Sequence, residues 1–228
     1  MCYNLDDMGR KIQLAPKSYF HIYNRGTEKR EIFINDNDYR RFLILLYLCN
    51  NTSPVSIRNL LDKGLTFGEI FNIERKETLV DIGAYCLMNN HVHLLVKNKT
   101  ENGISRFTQK LFTGYTMYFN KKNKRTGSLF ESTFKANLVD KNEYLKYLFA
   151  YIHLNPIKLI ESDWKEKGIK DIDKAKIFLK NYLWSSYPFY IGERENDSIL
   201  NKQDFPRYFD NNKEFNEFVN DWLSFPEV

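Results

Sequence analysis

Cysteine is scarce in this chain. Cys2, Cys49 and Cys86 are its three cysteines in 228 residues, too few and too widely spaced for a disulfide framework, and they point to a reducing compartment. Long apolar runs are missing too: the longest, Phe42 to Cys49, falls well short of the roughly 20 residues that span a bilayer. The opening stretch, MCYNLDDMGRK, places acids early and contains no apolar h-region, so no secretory leader is expected. No internal repeat or low-complexity tract interrupts the chain. These absences set aside a disulfide scaffold and a membrane span, and leave a soluble cytoplasmic protein as the expectation.

What is present is a core and an uneven charge. With 43% hydrophobic and 28% charged residues, the chain can bury one domain's core and carry appendages. From Lys97 to Lys135 nine Lys/Arg stand against Glu101 and Glu131, whereas from Glu193 onward nine acids stand against four bases. A basic middle beside an acidic tail suggests a polyanionic partner for the middle, most often nucleic acid, with a solvated helix face as the competing reading.

Periodicity supplies the elements. Ser18 to Asn24 alternates as a half-buried strand ending at Asn24-Arg25-Gly26. Asn35 or Asp36 caps a helix with its stripe on Tyr39, Phe42, Leu43, Leu46 and Tyr47. A short helix is expected around Ile57 to Leu61, and strands near Glu69 to Ile73, Val80 to Leu87 and Val92 to Lys97. Asn89-Asn90 reads as a tight hairpin whose asparagines take left-handed turn angles. A helix carrying Ile104, Phe107, Leu111, Tyr115 and Tyr118 runs out into KKNKRTG; a strand follows at Phe134 to Val139, then a helix from Tyr144 to Asn155 with a capping-box-like start at Asp140 and Glu143. The order suggests an α+β fold: a ferredoxin-like antiparallel sheet with helices on one face, plus a small C-terminal helical appendage. The expected division is a catalytic domain over 1–187 and an acidic appendage over 188–228.

The chemistry gathers at Cys86-Leu-Met-Asn-Asn-His-Val-His-Leu-Leu-Val96. On a strand, i and i+2 share a face, so His91 and His93 point one way while Val92, Leu94 and Val96 point into a core. Two imidazoles suit one metal ion but leave it short of ligands. In DKNEYLKYLFAYIHLNP, Tyr151 and Asn155 are spaced i,i+4 on one helix face. If that face covers the histidines, Asn155 can complete the metal site and Tyr151 can attack a phosphodiester that the metal polarises.

Four segments together carry a resemblance: the His-x-His strand, Arg125-Thr-Gly-Ser-Leu-Phe130, Tyr151-Ile-His-Leu-Asn-Pro-Ile-Lys158, and Trp184-Ser-Ser-Tyr187. In this order the chain resembles the REP-associated tyrosine transposases, of the single-tyrosine HUH transposase family, over about Ser18 to Tyr187. The resemblance implies a metal-dependent single-stranded DNA transposase or endonuclease using Mg²⁺ or Mn²⁺. It also implies strand cleavage and rejoining through a covalent 5′-phosphotyrosine, and recognition of hairpin DNA; a monomer or homodimer is expected. It makes Tyr151 the nucleophile and His91, His93 and Asn155 the metal ligands. Asn89 stands where the family usually has proline, and Thr52 to Gly68 is longer than the family's segment; neither touches these positions.

Arg25, Lys121, Lys122, Lys124, Arg125, Lys135 and Lys158 form the candidate DNA-binding set, with interleaved Tyr and Phe to stack unpaired bases. His21 and His153 are assigned structural roles, Tyr115 and Tyr118 to packing, and Tyr144 and Tyr147 remain rival nucleophiles. The alternative to an enzyme is a nucleic-acid-binding module without catalysis. A hydrolytic metal nuclease would need more carboxylates and no tyrosine.

Overall fold

The computed structural model describes residues 14–54, 57–195 and 197–224; Cys2 and the opening stretch lie outside them. Four strands form one antiparallel sheet: β1 (Tyr19–Arg25), β2 (Val80–Leu87), β3 (His91–Asn98) and β4 (Lys135–Val139), in the spatial order β2-β3-β1-β4. Helix α1 (Asp36–Cys49) joins β1 to β2. The short helices α2 (Ile57–Asp62) and α3 (Phe67–Ile70) lie in the same connection, and α4 (Gly103–Lys122) joins β3 to β4. This is the βαββαβ order of the ferredoxin-like fold. Beyond β4 come α5 (Asn142–Leu154), α6 (Trp164–Lys167), α7 (Ile172–Asn181), α8 (Tyr187–Tyr190) and α9 (Asn212–Ser224).

Strand alternation sorts the side chains between two cores. Phe20, Ile22, Val92, Leu94 and Val96 are buried on one face against α1 and α4. Ala84, Cys86 and Leu95 are buried on the opposite face with Leu148, Phe149 and Ile152 of α5. Helices therefore cover both faces, not one: α5 is predominantly apolar and needs a second surface to bury against. The C-terminal segment belongs to that second core as well. Phe205 lies against Gly83, where an added Cβ would come within 2.6 Å of its ring, and Tyr190 Oη donates to the Gly83 carbonyl at 2.6 Å. Tyr85 Oη donates to Asp197 at 2.7 Å, and Arg194 donates to the same carboxylate at 3.0 Å. The acidic segment read as an appendage is thus packed on the sheet by aromatic rings and by the Tyr85 hydroxyl, which meets its Arg194–Asp197 pair.

Local details depart from the sequence expectations for identifiable reasons. Glu69 to Ile73 is no strand; Thr66 caps the helical turn α3, with Thr66 N donating to Glu69 Oε2 at 2.7 Å and Glu69 N to Thr66 Oγ1 at 3.4 Å. That reciprocal cap outweighs the β-like pattern of the short run. Lys141, not Asp140, precedes α5, and no side chain caps it. Neither Asn89 nor Asn90 has positive φ. Their carbonyls instead accept from Ile32, Phe33 and Gly26 at 2.8, 3.1 and 2.9 Å, stitching the hairpin to the segment after β1. Gly26 is needed there for close approach, since a Cβ would sit 2.4 Å from the Arg30 carbonyl.

Candidate active site

Antiparallel register assembles the site. Tyr23 lies opposite His93 and Arg25 opposite His91 across β1 and β3, while His21, opposite Leu95, is the diagonal neighbour of His93. His91 and His93 meet edge to face, with ring centroids 5.0 Å apart. Helix α5 crosses this face and presents Tyr151 edge-on to His93 at 5.7 Å and to His21 at 5.6 Å. The segment Trp184-Ser-Ser-Tyr187 holds that arrangement. Leu87 N donates to the Trp184 carbonyl at 2.9 Å, Ser186 N to the Tyr85 carbonyl at 3.0 Å, and Ser186 Oγ lies 2.6 Å from Nε2 of buried His153 on α5. His153 is structural, as its place on the helix suggested.

Each histidine of the pair has one nitrogen engaged. His91 Nδ1 lies 2.6 Å from Asn90 Oδ1, and the Asn90 amide nitrogen donates to the Lys29 carbonyl at 3.0 Å. The second bond orients the amide, so its acceptor oxygen faces His91. His91 therefore carries its proton on Nδ1 and leaves a lone pair on Nε2. His93 Nδ1 lies 2.9 Å from His21 Nε2. Burial pushes His91 down to about 4, with Arg25 and Lys158 adding to the effect. Burial also holds His93 well below the ordinary histidine range, followed by the charges of His21, His91, Lys158 and Arg25. Both rings are neutral at pH 7, the form in which imidazole ligates a metal. The donor set fits a divalent ion completed by oxygen ligands. Among the described residues no group of three or more His, Cys, Asp or Glu gathers that could hold one unaided.

Asn155 is buried and opens a 3₁₀ turn, Asn155–Leu159, and its amide nitrogen donates to the Tyr151 carbonyl at 2.8 Å. It thus fastens the end of α5 to the residue carrying the phenol, leaving its amide oxygen as the group a metal would use. Tyr147 and Tyr144 follow along the same side, their centroids 5.9 Å from Tyr151 and 6.2 Å from Tyr147 respectively, and Trp222 of α9 packs on Tyr147 at 4.8 Å. Tyr115 and Tyr118 are far from this chemistry: Tyr115 is buried and donates to the Ile32 carbonyl, and Tyr118 donates to Asp38. Cys86 is a buried strand residue whose thiol burial pushes far up.

The basic candidates divide. Arg25, Lys121, Lys124, Lys135 and Lys158 are exposed, and the charges of Arg25 and Lys158 reach the histidines. Lys122 is committed elsewhere: its ammonium lies 2.6 Å from fully buried Asp38 and 3.3 Å from Asn35. Arg125 donates to Asn120 Oδ1 at 2.6 Å and to the Ser128 carbonyl at 3.1 Å, pinning its own loop. Both therefore have a role in holding the fold, whatever they add to the DNA-binding set. Three residues beside the site were not among the sequence's site candidates: His21, read as structural, Asn90, read as a turn residue, and Lys165, whose ammonium lies 4.7 Å over the Tyr151 ring. Only Asn90 had a local signal, its position directly before His91.

Residues 17–155 match the family of IS200-like transposases, more than half of the chain, and the chain belongs to that family. No curated protein matches it. A solved structure of a REP-associated tyrosine transposase bound to a REP hairpin is similar over 88% of this chain and 94% of its own, at 10% identity and a TM-score of 0.48. No helix among the described residues is long and apolar enough to cross a membrane.

Proposed function

We propose that this transposase cuts and rejoins single-stranded DNA beside a hairpin through a 5′-phosphotyrosine on Tyr151, in the manner of the REP-associated branch of its family. The observation that carries this reading is the edge-on approach of Tyr151 to His93 across α5 and β3, at 5.7 Å. A bound divalent ion, Mg²⁺ or Mn²⁺, supplies Lewis-acid polarisation of the scissile phosphoryl oxygen. Nε2 of His91, Nε2 of His93 and the amide oxygen of Asn155 would hold it.

Tyr151 Oη attacks phosphorus, the bond from phosphorus to the 3′ oxygen breaks, and the released 3′ oxygen leaves as a hydroxyl with a proton. The 5′ phosphate remains esterified to the phenol. Because an aryl oxide leaves more readily than an alkyl one, a second 3′ hydroxyl can take the phosphate back and regenerate the tyrosine. Lys165, over the Tyr151 ring, favours negative charge on the phenol as attack begins. Arg25 and Lys158 place positive charge beside the histidines, where a phosphate would enter. Exposed Lys121, Lys124 and Lys135 extend the track for the DNA backbone.

The test is incubation with single-stranded hairpin DNA and Mn²⁺, reading protein–DNA adduct on a denaturing gel. Wild type gives an adduct, and Tyr151→Phe gives none while still binding DNA. His91→Ala also gives none, through loss of the metal site. An adduct from Tyr151→Phe would move the nucleophile to Tyr147 or Tyr144. A wild type without adduct in either metal would leave a hairpin-binding module.

A further inference from the structure

The one buried contact between catalytic-face histidines that the proposed reaction leaves unused is that of His21 with His93. His21 is 3% exposed, its Nε2 lies 2.9 Å from His93 Nδ1, and its ring stacks on His93 at 5.1 Å and 19°. Its other nitrogen, Nδ1, is buried and has no hydrogen-bond partner among the described residues. A buried nitrogen without a partner costs stability, and an apolar ring of similar shape would avoid that cost. Packing alone therefore does not explain a histidine at this position.

Between two neutral imidazoles one N–H must meet one lone pair. If His21 were the donor, His93 would accept at Nδ1 and carry its own proton on Nε2, which would block ligation there. If His93 is the donor, its Nε2 keeps the lone pair. The hairpin already solves the same problem for His91, where the acceptor oxygen of Asn90 holds the proton on Nδ1. We propose that His21 is a positioning residue that accepts the Nδ1 proton of His93 and thereby presents Nε2 of His93 to the catalytic ion. This rests on the metal-site reading above, and it extends the rule that a ligating histidine gives its second N–H to a partner fixing its tautomer and ring orientation. The Tyr151 ring makes T-shaped contacts with both rings, so a rotated or wrongly protonated His93 would also misplace the ion relative to the nucleophile.

The experiment has two readouts besides activity. Long-range ¹⁵N–¹H spectra of the metal-free protein identify which nitrogen of each histidine is protonated, and calorimetric titration measures Mn²⁺ affinity. Wild type should show His93 protonated on Nδ1. His21→Gln, whose amide oxygen can take the place of Nε2 as acceptor, should keep that tautomer and an affinity close to wild type. His21→Phe should move the His93 proton to Nε2 and weaken Mn²⁺ binding by about 10–100-fold. A wild-type His93 protonated on Nε2 overturns the proposal, as does an unchanged Mn²⁺ affinity in folded His21→Phe. Should His21→Phe not fold, the wild-type tautomer still decides. If His93 is protonated on Nδ1 yet no Mn²⁺ binds, the metal reading fails while the assignment of His21 as acceptor stands.

Discussion

Replacing Lys122 by Met separates a structural lysine from a DNA-binding one. Asp38 is fully buried and takes four hydrogen bonds: Lys122 Nζ at 2.6 Å, Tyr118 Oη at 2.8 Å, and the Ile34 and Asn35 amides at 3.0 and 3.3 Å. Removing one partner of a buried pair costs about 3–5 kcal/mol, whereas an exposed pair is worth about 0–1 kcal/mol. The Lys122 side chain is 31% exposed, and three donors to Asp38 survive the substitution. The expected loss is therefore about 1.5–3 kcal/mol, that of a hydrogen bond to a charged group, or a Tm lower by roughly 3–12 °C for a chain of this size. Burial alone would raise the Asp38 carboxyl, but the bonds from Lys122, Ile34 and Tyr118, with the charge of Lys122, bring it below its ordinary value. A carboxyl depressed in the folded state stabilises above its unfolded pKa, and that contribution is lost as pH falls through the folded value. The gap between wild type and Lys122→Met should thus be full at pH 7 and close below about pH 4. Thermal unfolding at the two pH values measures it, with exposed Lys121→Met as the control that shifts neither. An unchanged Tm together with a shallower salt dependence of DNA binding would refute the argument and return Lys122 to the phosphate-binding set.

Most of the fold was legible because its signals are periodic. The period-2 pattern located β1, β2, β3 and β4 within a residue or two, and the helical stripes located α1, α4 and α5. Where local cues misled, a contact between residues distant in sequence or a competing cap decided. The Glu69 to Ile73 run lost to the Thr66 cap, and the Asn89-Asn90 turn is held by Gly26, Ile32 and Phe33 of the segment after β1 rather than by left-handed angles. The second core escaped for the same reason. A sequence shows that α5 is apolar, but not that Phe205 and Tyr190 close over Gly83.

The closeness of the candidate side chains was legible in the sequence, and the contacts around them were not. His91, His93 and Tyr151 announce themselves by chemistry and spacing, and strand alternation placed both histidines on the face that α5 covers. His21 was assigned a structural role; it is buried where Tyr151 of α5 packs on it, and it reaches His93 through a diagonal register that no local pattern encodes. Lys122 looked like its exposed neighbours Lys121 and Lys124, since nothing local tells which lysine of a basic run points back at a buried aspartate. Asn155 does two things at once: at the end of α5 it bonds to Tyr151's own carbonyl, and its amide oxygen is the group proposed as ligand.

Two further outcomes are expected. Removing Lys121 and Lys124 together should weaken single-stranded DNA binding across sequences and flatten its salt dependence by about 0.7 in log–log slope for each phosphate no longer neutralised; an unchanged slope would place the DNA on another surface. The pH dependence of metal uptake follows from the histidines. Proton and metal compete for the same Nε2 lone pairs, so binding is lost as pH falls through the pKa of the ligands. An unperturbed pair would release Mn²⁺ near the ordinary value of 6.5, but burial, then Arg25 and Lys158, pushes His91 down to about 4. Mn²⁺ affinity should therefore hold nearly level from pH 8 to about pH 5 and fall only toward pH 4. Arg25→Gln removes a positive charge beside His91, which raises its proton affinity and should move the loss to higher pH. A wild-type midpoint near 6.5 in calorimetric titrations would mean that the histidines are more solvated than the α5 cover allows, and would count against this face as the metal site.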